Sequence, residues 1–180
     1  QPLLYGVSAI PSIRIECVVC EDGIPVGLRA ANLNHKKAMD RQDIYNAIPH
    51  REPFLLVDEI VEWNDANIRC TKKFTGQEEF FAGHYPGSPL VPGVLLCEAA
   101  MQAGAILLSR HLGAKPGHMP VATRINDVRF KRIVRPGETI VLDVELTERL
   151  ADAFFLKAKV SVDGKVAVRF EFACTAAKME

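Results

Sequence analysis

One stretch limits the folds open to this chain more than any other. Val91 to Leu112 reads VPGVLLCEAAMQAGAILLSRHL, which is apolar nearly all round when wound as a helix. Such a helix cannot rest on a surface. Either it crosses a membrane or other parts of the chain enclose it. Glu98 and Gln102 interrupt the run, prolines precede it, and the rest of the chain has a soluble composition. A buried core helix is therefore expected, with no membrane span.

The material to enclose it is present. Downstream, apolar residues recur at every second position: Ile140, Leu142, Val144 and Leu146, then Leu156, Ala158, Val160 and Val162, then Val166, Val168, Phe170, Phe172 and Cys174. Asp163-Gly164-Lys165 is a tight hairpin signal between the last two runs. Val121 to Val134 reads as a further long strand, basic on one side, ending at the turn Arg135-Pro136-Gly137-Glu138. Upstream, Phe54–Trp63 and Ile68–Phe74 read as two antiparallel strands about the turn Asn64-Asp65-Ala66-Asn67. A short helix from Arg41 to Ala47, capped by Asp40, precedes them.

Two strands, one buried helix and four meandering strands make an α+β domain. The expected fold is a curled antiparallel sheet of about six strands wrapped around one long central helix. So thin a domain leaves apolar surface that a second copy can cover, and at least a homodimer is expected. The 180 residues suit one such domain over 39–180. Residues 1–38 read as an N-terminal extension of unknown role, with a short hairpin as its one legible feature.

Composition narrows the function. Net charge is zero, so no bulk attraction to nucleic acid or an anionic membrane is expected. The five cysteines are odd in number and scattered, and no basic segment followed by an apolar one opens the chain. A reducing cytoplasm is the expected location. Cys17 and Cys20 form a lone CxxC; without further ligands the plainer reading is two small strand residues rather than a zinc site. No phosphate loop, dinucleotide fingerprint or metal-ligand cluster is present, so neither cofactor nor metal is expected. Ser88 and Ser109 lack partners for nucleophilic catalysis, and Cys97 follows the helix period as a core residue.

Three groups around the start of the long helix carry chemistry. Pro92 suits a first helical turn, and Gly93 beside it has no Cβ to block close approach. The free N–H groups there and the helix dipole favour a developing negative charge, such as that on a thioester carbonyl becoming an enolate. Glu98 is a lone carboxyl among apolar neighbours. Desolvation favours its protonated form, which can donate a proton; the alternative is a buried Glu paired with a basic residue elsewhere. Gln102, one turn on, can support it by a hydrogen bond. His84 lies in Gly83-His84-Tyr85-Pro86-Gly87, a loop stiffened by Pro86, Pro89 and Pro92 that fixes it relative to Gly93. A neutral imidazole there can take the acidic proton beside a thioester carbonyl. A structural or merely exposed histidine is the alternative. His50, between prolines and charges, reads as structural, and His35, His111 and His118 as surface or loop residues.

Three blocks resemble a known family in the same order: Pro49-His50-Arg51-x-Pro53-Phe54-Leu55-Leu56-Val57-Asp58, then Gly83-His84-Tyr85-Pro86-Gly87-x-Pro89-x-x-Pro92-Gly93-Val94-x-x-x-Glu98-Ala99-x-x-Gln102, then Arg129-Phe130-Lys131-Arg132-x-Val134-x-Pro136-Gly137-Glu138. They resemble the β-hydroxyacyl-acyl carrier protein dehydratases of type II fatty acid synthesis, over roughly Gln42 to Ala176. The resemblance implies a hot-dog fold and dehydration of a 3-hydroxyacyl thioester to the trans-2-enoyl thioester without a cofactor. It implies that His84 abstracts the C2 proton, Glu98 protonates the departing hydroxyl and the Gly93 N–H binds the thioester carbonyl. It also implies that the histidine and glutamate of one site come from different subunits, in dimers that commonly assemble into hexamers as trimers of dimers. Glutamate at 98 points to this branch rather than the dehydratase-isomerase, which carries aspartate there. Tyr85 stands where phenylalanine is usual, Gln77 where asparagine is common, and Val121-Ala122 where the family often has aromatic residues, one of which can gate the acyl tunnel. The acidic acyl carrier protein is the implied partner. Arg124, Arg129, Lys131 and Arg132 are candidates for its docking patch, against a plain solvated strand face. Two other readings keep the fold: a hot-dog acyl thioesterase, and a non-catalytic acyl-carrier-binding module.

Overall fold

The computed structural model describes residues 39, 41–112 and 117–178. The expected N-terminal hairpin, Cys17 and Cys20, His35 and the Asp40 cap lie outside the described residues. The elements are α1 (Arg41–Ala47), β1 (Glu59–Trp63), β2 (Asn67–Lys73), α2 (Phe80–Gly83), α3 (Gly93–Leu112), β3 (His118–Phe130), β4 (Thr139–Leu150), β5 (Ala153–Val162) and β6 (Lys165–Lys178). The six strands form one antiparallel sheet in the order β1-β2-β4-β5-β6-β3. This is the hot-dog layout read from the sequence.

The period-two runs explain the sheet. In β4, Ile140, Leu142 and Val144 point inward; in β5, Phe154, Leu156, Ala158, Val160 and Val162; in β6, Val168, Phe170, Phe172 and Cys174. Their polar alternates carry cross-strand ion pairs on the outer face, among them Arg69–Asp143 at 2.6 Å and Lys159–Asp143 at 3.0 Å. Helix α3 fills the inner face with Leu96, Cys97, Ala99, Ala100, Ala103, Ile106, Leu107 and Leu108 buried. By length and composition α3 would suit a bilayer, but here its apolar surface is spent on the sheet. Small residues let it settle closely. A Cβ on Gly104 would lie 2.6 Å from Phe172 Cζ, inside any tolerable contact.

Of the strand boundaries that differ from expectation, two have a clear cause. β1 begins at Glu59, not Phe54. Leu55, Leu56 and Val57 are buried, but the Leu56 N–H is donated to Gln102 Oε1 at 2.7 Å and so serves the helix, not a strand ladder. β3 ends at Phe130, not Val134, because the N–H groups of Lys131 and Arg132 both turn to the Ala167 carbonyl.

β3 departs from the expected one-sided pattern as well. It lies at the sheet edge beside β6, and every residue from Val121 to Phe130 is exposed. Val121, Ile125, Val128 and Phe130 thus stand uncovered on one edge strand. Two bulges, between Ala122 and Arg124 and between Asn126 and Arg129, kink it.

Candidate active site

His84 is the residue at which α2 stops, with extended backbone (φ −101°, ψ 98°). The short α2 was not expected; its entry is shaped by Glu78. The Glu78 carboxyl accepts from the backbone N–H groups of Thr75 and Gly76, both at 2.9 Å. Burial pushes the acid's pKa up, but these N–H donors outweigh it and hold the carboxyl below its usual range. After His84 the chain reverses through Tyr85 (φ 55°) and Gly87 (φ 87°). The Tyr85 ring meets His84 edge-on, centroids 4.8 Å apart. The loop is then pinned by Val91 N–H donating to the Val134 carbonyl at 2.8 Å. His84 itself is half-buried.

α3 begins directly after this pin. The Pro92 carbonyl accepts from Leu95 N–H at 2.9 Å, which makes Pro92 the residue just before the helix and Gly93 its first member. The N–H groups of Gly93 and Val94, ahead of that bond, have no intrahelical acceptor. Over Gly93 stands the ring of Phe130: a Cβ there would meet Phe130 Cε1 at 2.6 Å.

Glu98 sits inside the helix, with its side chain 23% exposed, less buried than the sequence suggested. No Lys or Arg reaches it among the described residues, so the alternative of a buried salt bridge finds no such partner. Gln102 is 1% exposed and uses both ends of its amide. Its Nε2 donates to Glu98 Oε1 at 3.0 Å and to the Phe54 carbonyl at 2.8 Å, and its Oε1 accepts from Leu56 N–H. One side chain therefore ties segment 54–56 to the helix and orients the acid.

His50 was read as structural, yet its Nε2 lies 4.0 Å from Glu98 Oε1. Its ring is stacked on Phe54 at 6.2 Å. No periodicity could have flagged it; the one signal was its place in the first of the three family-like blocks. Cys97 is buried beside Glu98, and burial pushes its thiol up to about 11, which suits a core residue rather than a nucleophile.

Among the described residues, neither a hydrogen bond nor an ion pair joins His84 to Glu98 of the same chain. The basic candidates are not equivalent either. Arg129 pairs with Asp127 at 2.8 Å, and Arg132 pairs with Glu138 at 2.5 Å, whereas among the described residues Lys131 and Arg124 pair with no carboxylate. Arg124 lies over the Phe155 ring at 6.0 Å. A groove of about 820 Å³ on the outer sheet face is lined by Lys131, Arg169 and the paired charges of β4–β6, and by none of His84, Gly93, Glu98 or Gln102.

Comparison with known proteins shows the family. The model described as FabA-like domain matches residues 48–171. The 3-hydroxyacyl-[acyl-carrier-protein] dehydratase FabZ of Aromatoleum aromaticum is 40% identical over 139 residues, 76% of this chain and 96% of the relative. The protein of that name from Clostridium perfringens strain SM101 is 43% identical over 129 residues, 72% of this chain and 92% of the relative. Among solved structures, the dehydratase heterocomplex ApeI:P from Xenorhabdus doucetiae superposes with a TM-score of 0.64 at 14% identity, covering 75% of this chain and 91% of that one. An uncharacterized protein from Pyrococcus horikoshii does so with 0.57 at 17% identity, covering 72% and 89%. These two likenesses speak for the fold.

Proposed function

The chain belongs to the FabA-like family, and on that premise we propose that it dehydrates 3-hydroxyacyl chains carried on acyl carrier protein to trans-2-enoyl chains, in fatty acid biosynthesis, as a hydro-lyase of the cytoplasm. The observation that carries the reading is Glu98: a carboxyl inside an apolar helix, without a Lys or Arg partner among the described residues, held by Gln102 and five positions beyond a Gly93 that opens the helix.

Neutral His84 takes a proton from C2 of the thioester. The electron pair moves toward the carbonyl, whose oxygen gains charge at the Gly93 N–H and the N-terminal end of α3. The pair then closes the C2–C3 double bond as the C3–O bond breaks. The departing hydroxyl takes the Glu98 proton and leaves as water. His84 ends protonated and Glu98 ends as carboxylate; return of the proton from one to the other, through solvent, resets the site. No redox partner is needed.

The site is assembled from two copies. Three features support this: His84 and Glu98 share no bond within one chain, the His84 loop is exposed at Tyr85, and β3 offers an uncovered apolar edge to a second β3. A trimer of such dimers is the proposed larger assembly. For the acyl carrier protein, Lys131 and Arg124 are the stronger docking candidates, since Arg129 and Arg132 already hold carboxylates.

The test is incubation with a 3-hydroxyacyl chain on acyl carrier protein. Accumulation of the enoyl thioester with the thioester bond intact is expected. Release of free thiol without enoyl product would identify a thioesterase instead, and binding without turnover a carrier-binding module.

A further inference from the structure

Glu98 is approached by two nitrogens, and both point to the same oxygen. Gln102 Nε2 donates to Oε1 at 3.0 Å, and His50 Nε2 stands 4.0 Å from that Oε1. The second distance lies within ion-pair reach and beyond a formed hydrogen bond. Oε2 receives neither. An oxygen that accepts from N–H donors is a poor place for the acid's own hydrogen, so the proton belongs on Oε2.

The environment of His50 says which nitrogen carries its hydrogen. Nδ1 is buried and finds no hydrogen-bond partner. In a neutral ring, a buried N–H without an acceptor is the costlier choice of tautomer, which places the hydrogen on Nε2, facing the carboxyl. The ring has a second neighbour. It is stacked on Phe54, and the Phe54 carbonyl is itself held by Gln102 at 2.8 Å. His50, Phe54, Gln102 and Glu98 thus form one closed set.

We propose that His50 is a positioning residue for Glu98: with Gln102 it claims Oε1 and so presents the protonated Oε2 to the departing hydroxyl. This rests on the reading of Glu98 as the acid. His50 touches no substrate; it selects which oxygen delivers the proton and keeps that choice through the reaction, when the carboxylate left behind gains most from nearby N–H donors.

The experiment compares His50→Phe, His50→Gln and Glu98→Gln in the full chain, with a 3-hydroxyacyl chain on acyl carrier protein as substrate. His50→Phe keeps the stack and loses the donor; His50→Gln keeps an N–H at about the place of Nε2. His50→Phe is expected to lower kcat about ten-fold and to leave KM within about two-fold, because the lost contact matters in the transition state rather than in binding. His50→Gln is expected to restore most of kcat. Wild-type kcat in His50→Phe, or equal loss in both His50 variants, overturns the proposal. Glu98→Gln separates the two levels. If it is inactive while His50→Phe is unimpaired, only the positioning role falls. If Glu98→Gln turns over normally, the role of Glu98 falls and this inference with it.

Discussion

Phe130 stands over Gly93 as Phe172 stands over Gly104: in each pair a Cβ on the glycine would come within 2.6 Å of the ring. The two rings differ in freedom. Phe130 is 55% exposed on an edge strand, whereas Phe172 is 2% exposed in the core, with Leu156 beside the same glycine. In a helix, Ala is favoured over Gly by about 1 kcal/mol. At 93 the ring lies outside the core of the single chain, so Gly93→Ala should cost less stability than Gly104→Ala. At 104 it lies within the core, and overpacking should make Gly104→Ala less stable by about 1–3 kcal/mol in denaturant titrations.

Activity should reverse that order. Gly93→Ala forces the Phe130 ring off the start of α3, where the thioester carbonyl is proposed to bind, and displacement by about 1 Å can cost about 100-fold in kcat/KM. Gly104→Ala should keep kcat/KM at temperatures where it is folded. Steady-state kinetics beside the unfolding curves test the pair.

Gln102 should be the most costly polar side chain to remove. Gln102→Leu leaves the Leu56 N–H and the Phe54 carbonyl without their partner in a site that is 1% exposed. Stranding the buried Leu56 N–H alone costs about 1–3 kcal/mol, and a loss of at least that size is expected by chemical unfolding. Activity should fall as well, because segment 54–56 and Glu98 lose their common anchor.

Acid should remove two local ties. Glu78 and Glu138 are both held below the ordinary carboxyl value of 4.5. For Glu78 burial acts upward and is outweighed by backbone N–H donors; for Glu138 the Arg135 N–H leads, with the Arg132 guanidinium adding to it. A depressed folded-state pKa stabilises the fold above the unfolded value and ceases to do so as pH falls through the folded one. Glu78→Gln and Glu138→Gln should therefore lower Tm at neutral pH, and the difference from wild type should shrink well below pH 4.5. A difference independent of pH would contradict the assignment.

The β3 edge should be the seam of the dimer. Ile125 is exposed in the single chain, so a charge there costs its fold little, within about 0.5 kcal/mol. Ile125→Lys should nevertheless lower the mass seen by light scattering and abolish dehydration together. An unchanged mass would place the interface elsewhere.

The long helix was legible because its apolar residues leave no polar face, and β4 to β6 because Ile140 through Cys174 keep a period of two against it. Leu55-Leu56-Val57 misled for a physical reason: an apolar run reports burial, and these residues are buried while the Leu56 N–H goes to Gln102 instead of to a strand partner. Pairing of Arg129 with Asp127 and of Arg132 with Glu138 was open to a closer reading of near neighbours in the chain. His50 was not, since its approach to Glu98 depends on how segment 50–56 is laid along α3, which no local pattern encodes.

The central claim is that one site takes His84 from one copy and Glu98 from the other. It is tested by mixing two inactive variants, His84→Ala and Glu98→Gln, after unfolding and refolding them together. In a mixed dimer one site keeps both native groups and the other keeps neither. Random pairing makes about half of the dimers mixed, so about a quarter of wild-type activity should return. If the mixture stays inactive while mixed dimers are shown to form, each site is built within one chain and the account is contradicted.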